Sequence, residues 1–432
     1  MNICILADDL TGASDSGVQF TKFGVRPTVA LNHLRIDELL DREVLVIDTD
    51  SRAMSPEAAC RTVSQLSQQL QKTSPEIVYK KIDSLLRGNI GAEFEAIFSV
   101  FQPDCLIVTP GYPENGRVVK NGELYVNGVA LEKTGIINQH GERFQTSNIA
   151  EIIAGQSERN VQHLTAEEVM SENIKNRLDS LIKENVSILT LDCKDDFQLQ
   201  RQINQLNNLD QKIIWAGSAG LAQHLWNKQG TEEFSCAKNS LSSQTHNLSA
   251  IFVIGSMSPI SIKQRERLIR SGAVTHYTFD PNIFFESEWE HSPVIDNILT
   301  EVERGKPKNV LLYPSADDES LNRVKQNAKD HHKTMGEAMK YISDCIGILV
   351  NKVFSCHEYE AIVLTGGDIA KSVCTSLEST EFELLSQLEA GIPVGKLHGK
   401  YDLIGITKAG SFGNENTLLN ALHYLKGGSA NV

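Results

Sequence analysis

The chain has little positive charge for its size: 41 Lys and Arg stand against 55 Asp and Glu, a net charge of −14 over 432 residues. Such a balance offers no sequence-independent attraction to a phosphate backbone or an anionic bilayer, so neither nucleic acid nor membrane is expected as a partner. It leaves room for a small anionic substrate, because a few Lys and Arg can make one cleft positive within a negative surface. No Cys-x-x-Cys pair occurs among the eight cysteines, Cys4, Cys60, Cys105, Cys193, Cys236, Cys345, Cys356 and Cys374. Scattered in this way, several inside apolar runs, they are expected to be reduced core residues. Met1-Asn2-Ile3-Cys4 enters a strand pattern with no basic leader and no long apolar segment, and a cytoplasmic protein is expected.

Several catalytic fingerprints are missing too. No G-x-G-x-x-G follows a strand, and "GGDIAKS" lacks the glycine that precedes the lysine of a P-loop, which disfavours an NAD-dependent dehydrogenase. No G-x-S-x-G elbow is present, so an α/β-hydrolase has little support. "HEYE" at His357 has no second His on the same helical face, and His331 and His332 lie in a charged helix, so no zinc site is expected.

What is present is a regular alternation of short apolar runs with longer helical segments, the pattern of α/β architecture with mostly parallel sheets. The length implies two or three domains, two being the simpler expectation. Strands are expected at Ile3–Ala7, Val44–Asp48, Ile77–Lys81, Leu106–Thr109, Ile188–Asp192 and Ile213–Ala216, and later at Val274–Phe279, Val310–Tyr313, Ala361–Leu364 and Leu403–Ile406. Asn121-Gly122 and Asn127-Gly128 flank "ELYV", a strong signal for a small antiparallel excursion. Around residues 231–248 the periodicity gives way to Ser, Asn, Gln and Thr, the expected linker between an N-terminal domain, 1–230, and a C-terminal domain, 249–432. An active-site cleft is expected between the two.

Ligands of open α/β sheets gather at the carboxyl ends of strands, so those turns are where chemistry is sought. "ILADDLTG" sets Asp8 and Asp9 at such an end and at the start of a helix. One reading makes an Asp the helix cap; the other makes it an acceptor or general base toward a substrate hydroxyl. "IDTDSR" adds Asp48, Asp50, Ser51 and Arg52, and "YKKIDSLLRGNIGAE" adds Lys80, Lys81, Ile82, Asp83, Ser84 and Arg87. Cations for a carboxylate beside Asp and Ser for hydroxyls suit an anion-and-polyol site, against the plainer reading of solvated loops pairing their own charges. The three turns meet in one crevice if their strands are neighbours. The second half differs: "AIFVIGSMSPIS" reads as a strand whose turn offers Gly255, Ser256 and Ser258, "VLTGGDIAKS" as a strand followed by Thr365, Gly366, Gly367 and Asp368 opening a helix, and "TKAGSFG" offers Gly410, Ser411 and Gly413. Glycine turns opening helices present backbone N–H groups and a helix dipole to phosphates.

Together "ADDLTGASDSG", "KKIDSLLRGNIGAE", "TPGYPENGR" with "NGVALEKT", "TGGDIA" and "GSFG" resemble the signatures of the four-carbon acid sugar kinases, over nearly the whole length. The resemblance implies an N-terminal domain for the acid sugar and a C-terminal domain for ATP, with Mg²⁺ accompanying the nucleotide. By this carry-over Asp9, Arg52, Lys81, Ile82, Asp83, Ser84 and Arg87 bind the acid; Ser256, Gly366, Gly367, Asp368, Ile369, Gly410 and Gly413 bind ATP. Asp9 is expected to be the general base, with Asp83 its rival, and the phosphate is expected to go to the 4-hydroxyl of D-threonate, with D-erythronate or L-threonate next. Leu85 and Ile369 depart from the threonines of many relatives. A homo-oligomer is compatible with all of this. A two-domain binding protein or sensor is the alternative of a different class; a haloacid-type phosphatase is disfavoured because Leu10 and Thr11 occupy the places of its second Asp.

Overall fold

The computed structural model describes residues 2–428 except 32, 137, 139–141, 227–246 and 316. The chain divides into two compact units, Met1–Phe234 and Ser235–Val432. The expected linker at 231–248 lies outside the described residues, apart from 247 and 248.

The strands of the first unit are β1 (Ile3–Ala7), β2 (Thr28–Ala30), β3 (Val44–Asp48), β4 (Ile77–Lys81), β5 (Cys105–Thr109), β6 (Arg117–Lys120), β7 (Glu123–Val126), β8 (Val129–Ala130), β9 (Asn160–Leu164), β10 (Val186–Leu191) and β11 (Ile213–Gly217). Eight of them form a parallel sheet in the order β2-β3-β1-β4-β11-β5-β10-β9. β1, β3 and β5 are buried along their whole length, as strands covered by helices on both faces must be. The chain leaves β1 toward β2 and β3 on one side and later places β4 on the other. β1 is therefore a switch point, with a crevice outside its carboxyl end.

β6, β7 and β8 make the expected antiparallel excursion. Asn121 and Gly122 sit at φ 52° and 78°, Asn127 and Gly128 at 50° and 80°. Two successive positive φ values are the requirement of the tight hairpin turn that Asn-Gly meets at little cost.

The second unit contains β12 (Ala250–Ile254), β13 (Thr275–Phe279), β14 (Asn309–Pro314), β15 (Ala361–Thr365), β16 (Glu381–Glu389), β17 (Ile392–His398) and β18 (Leu403–Lys408), ordered β13-β14-β12-β15-β18-β17-β16. The first five positions are parallel, and β18, β17 and β16 are antiparallel. Its core is built from Phe252, Leu311, Val363, Val394 and Ile406, all at most 1% exposed. β12 lies between β14 and β15, a second switch point.

Four strands had not been expected: β2, β9 and the β16–β17 hairpin. β2 has three residues, too short for a periodic signal, and β9 reads "NVQHL", an edge strand with little apolar content. "EFELLSQLE" in β16 mixes acidic and apolar residues because one face alone is buried.

Candidate functional site

β3, β1 and β4 are adjacent, in register Leu6 with Ile47 and Leu6 with Lys80. Their three turns consequently open on one crevice. Asp9, extended at φ −149°, caps the helix Leu10–Val18 by accepting from Gly12 N through Oδ1 at 2.9 Å. The capping reading thus holds, and Asp9 is also one wall of a charged cluster. The Arg52 guanidinium donates through Nε and Nη2 to Asp8 at 2.7 and 3.0 Å, and through Nη1 and Nη2 to Asp9 at 2.7 and 2.9 Å. Asp83 lies 3.8 Å from the same Nη2.

Burial works to raise the Asp8 pKa, but the charges of Arg52, Lys80 and Lys81 outweigh it and hold the carboxyl below its usual range. For Asp9 burial wins, because the pull of Arg52 is opposed by the neighbouring charge of Asp8. Asp83 is different again. Burial is overcome there by Arg52 and Arg87, and its pKa falls far below the carboxylate range. Its Oδ2 accepts from Arg87 Nε at 2.6 Å and its Oδ1 from Arg87 Nη2 at 3.0 Å. A carboxylate so firmly neutralised is a poor proton acceptor, which favours Asp9 over its rival.

The turn after β4 owes its shape to Leu86, which sits at φ 60° with its side chain fully buried. Anchored there, it returns Arg87 onto Asp83, four residues earlier. Lys81 is buried, and its ammonium donates to Ile82 O at 2.9 Å. A Cβ on Gly12 would come within 2.7 Å of that Nζ and 2.6 Å of Asp9 Oδ1, so the first turn of the helix carries glycine there because the ammonium and the carboxylate occupy the space. Ile82 is 1% exposed and donates its N–H to Gly217 O at 2.9 Å, joining β4 to β11; Ser84 stands half-buried at the turn.

Beneath these residues Lys80 and Glu93 form an ion pair at 3.0 Å, 0% and 1% exposed. Glu93 also accepts from Ser51 Oγ. Burial raises the Glu93 pKa against the pull of Lys80. The pair ties β4 and the helix Ile90–Phe101 to the turn that carries Arg52. Glu93 had read as an ordinary position on an amphipathic helix, and no local signal distinguishes it.

Asp15 also went unremarked in the sequence. It lies on the helix capped by Asp9, 6% exposed, with Oδ1 buried and unpartnered among the described residues. Burial lifts its pKa to about 6 against the pull of Lys81. Its one sequence signal is an acid in a helix of mostly small residues, eight of whose nine positions are buried. Because the folded pKa lies above the unfolded value, the folded state binds the extra proton between about pH 4 and 6, and stability falls as pH rises through that window. Asp15→Asn is therefore expected to gain on the wild type by up to about 3 kcal/mol between pH 4 and pH 7, read by urea unfolding at both values. An unchanged difference at the two pH values contradicts the assignment.

On the second unit β12, β15 and β18 are adjacent, so their glycine turns also share one end of a sheet. A Cβ on Gly410 would stand 2.1 Å from Ser256 Oγ, and one on Gly366 3.9 Å from Ser256 N. Gly366, at φ 109°, is the N-cap of the helix Gly367–Ser376 and supplies no side chain to its first N–H groups. Those donors are available to an anion. Asp368 is exposed at this helix start, and Ile369, 4% exposed, fills the space a Cβ on Gly255 would need, at 2.2 Å. Gly413, at φ 81°, has Thr417 as its nearest neighbour.

Lys408, at the end of β18 and 2% exposed, was not singled out in the sequence. Its Nζ has 3.4 Å contacts to Ser261 Oγ and Gly410 O, and among the described residues no carboxylate lies within ion-pair distance. Burial lowers its pKa to about 8. No group of three or more His, Cys, Asp or Glu capable of holding a metal occurs among the described residues.

Carboxylates and cations thus gather at the end of one sheet, and helix-start amides with a buried ammonium that lacks a counter-ion among the described residues gather at the end of another. Family models follow the same division: a "Sugar-binding N-terminal domain" matches residues 3–225 and a "Nucleotide-binding C-terminal domain" residues 251–418. The chain belongs to the four-carbon acid sugar kinase family. It is similar to a D-threonate kinase of Salmonella typhimurium, 29% identical and covering 99% of each chain. It is 25% identical to a D-erythronate kinase of Heliobacterium modesticaldum, covering 98% of this chain and 97% of that one, and 24% identical to a 3-oxo-tetronate kinase of Brucella melitensis, covering 96% and 94%. Among solved structures, a Salmonella typhimurium LT2 protein shares the fold with a TM-score of 0.76 at 19% identity, over 98% of this chain and 99% of that one. A Haemophilus influenzae protein does so with 0.68 at 19% identity, over 98% and 100%.

Proposed function

We propose that this protein is an ATP-dependent kinase that phosphorylates the 4-hydroxyl of a four-carbon acid sugar, D-threonate foremost and D-erythronate next, releasing ADP. One observation carries the reading: the adjacency of β3, β1 and β4, which gathers Asp9, Arg52, Lys81, Asp83 and Arg87 on the unit matched by a sugar-binding family model. The choice of acid rests on the full-length likeness to a D-threonate kinase.

In this mechanism Asp9 accepts the proton of the substrate's terminal hydroxyl as its oxygen attacks the γ-phosphorus and the bond to the ADP oxygen breaks. The amides of the turns at 255–258, 366–369 and 410–413 receive the phosphates, with Lys408 as the positive charge beneath them. Asp368, exposed at the start of the helix Gly367–Ser376, is the carboxylate that would help hold a Mg²⁺ accompanying the nucleotide, and the ion would supply charge neutralisation at the phosphates. Positioning contributes most of the remainder, because phosphoryl transfer asks little covalent chemistry of the protein.

The test is ADP release from ATP and Mg²⁺ with a panel of D-threonate, D-erythronate, L-threonate and 3-oxo-tetronate. D-threonate is expected to give the highest kcat/KM and a 4-phosphorylated product. Measurable acid binding without ADP from any member would instead favour a sensor.

A further inference from the structure

Three arginines belong to the first unit's charged crevice or its rim, and two of them are already engaged. Arg52 spends four hydrogen bonds on Asp8 and Asp9, and Arg87 is forked onto Asp83. Arg117 is the third. It follows β5 in "TPGYPENGR", a motif the mechanism above leaves unused, and is fixed by reciprocal backbone bonds with Tyr112, N to O at 3.0 Å and O to N at 2.8 Å. Its Nη1 donates to Asn115 O. Its Nε is buried and has no partner, Nη2 makes no hydrogen bond, and no carboxylate lies within ion-pair distance among the described residues. The neighbouring Asn115 Nδ2 is a second buried donor without an acceptor.

Asp83 and Asp15 attract this guanidinium and Arg87 repels it, which sets it on the side of the unit where the acid sugar is proposed to bind. Burial, with the Arg87 charge, lowers its pKa against the pull of Asp83. The open Nε–Nη2 edge is the planar two-donor fork that matches a carboxylate.

We propose that Arg117 binds the substrate's carboxylate through its Nε–Nη2 edge and thereby makes the enzyme selective for acid sugars over neutral tetritols. The hydroxyl chain of the acid then extends toward Asp9 and Lys81, with Arg52 retained by its aspartates as the member that orders Asp9. This assignment rests on the acid-sugar reading of the first unit, and it is tested by binding rather than turnover so that the two fail separately.

The experiment is calorimetric titration of the full chain with D-threonate, D-erythronate, threitol and erythritol, for the wild type, Arg117→Gln and Arg117→Lys. Arg117→Gln is expected to weaken binding of the preferred acid by about 10²-fold, the scale of a lost bidentate charge-assisted contact, and to leave the Kd values for the tetritols and for ATP unchanged. Arg117→Lys keeps the charge and loses the fork, and falls between; it also serves if the Gln variant does not fold. Acid binding within twofold of the wild type in both variants overturns the proposal, as does a change confined to ATP. A wild type that binds the acid through Arg117 and releases no ADP leaves Arg117 in place and removes the kinase reading.

Discussion

Asp9→Asn is expected to fold, to keep its KM for ATP, and to lose turnover by roughly 10²–10⁴-fold, the range for loss of a general base. Asparagine is the informative replacement. It caps helices about as well as aspartate, so the bond to Gly12 N survives, and Arg52 keeps Asp8 as its partner. What is removed is the ability to take a proton. Turnover within a few-fold of the wild type, measured under saturating acid and ATP, would take Asp9 out of the role. A collapse in thermal stability would show that the cap and the ion pair, rather than the proton, are what the position supplies.

Lys80→Met carries the largest expected stability effect. Lys80 and Glu93 are sealed from solvent at 3.0 Å, and removing one partner strands the other as a buried charge, at a cost of about 3–5 kcal/mol. The burial that already pushes the Glu93 pKa up leaves Glu93 to bind a proton on folding, so the loss should be smaller at low pH. The double variant Lys80→Met, Glu93→Leu is expected to recover most of the stability, because a packed apolar pair often equals a buried ion pair. It should still bind the acid poorly, since Ser51 loses the carboxylate that anchors the turn before Arg52. Urea unfolding read by Trp215 fluorescence in the first unit checks both. A single variant costing under about 1 kcal/mol contradicts the account of a sealed pair.

The legible parts of the molecule were those whose signal is local. Runs such as "ICILA" and "VLVID" are strands because β-branched and apolar residues cover both faces of a parallel sheet. The aspartates, cations and glycines that end such runs mark the functional edge of both sheets without any knowledge of their order. Whether the turns meet was not legible, since strand neighbourhood is set by packing between distant segments. Glu93, Asp15, Arg117 and Lys408 were hidden for a related reason. Each is an ordinary polar residue in its own segment, and its importance lies in burial and in a partner, or the lack of one, contributed from elsewhere. The β16–β17 hairpin was missed because its turn, Ala390-Gly391, carries a weaker signal than the Asn-Gly turns of β6–β8.

The acid is expected on the first unit and the triphosphate on the second. A crystal structure of the full chain with D-threonate and a non-hydrolysable ATP analogue tests it most directly. The carboxylate is expected on Arg117 and the terminal hydroxyl at Asp9, with the phosphates against the amides around Ser256, Gly366 and Gly410. Phosphates bound among Arg52, Lys81 and Arg87, or the acid seated on the glycine turns, would contradict it.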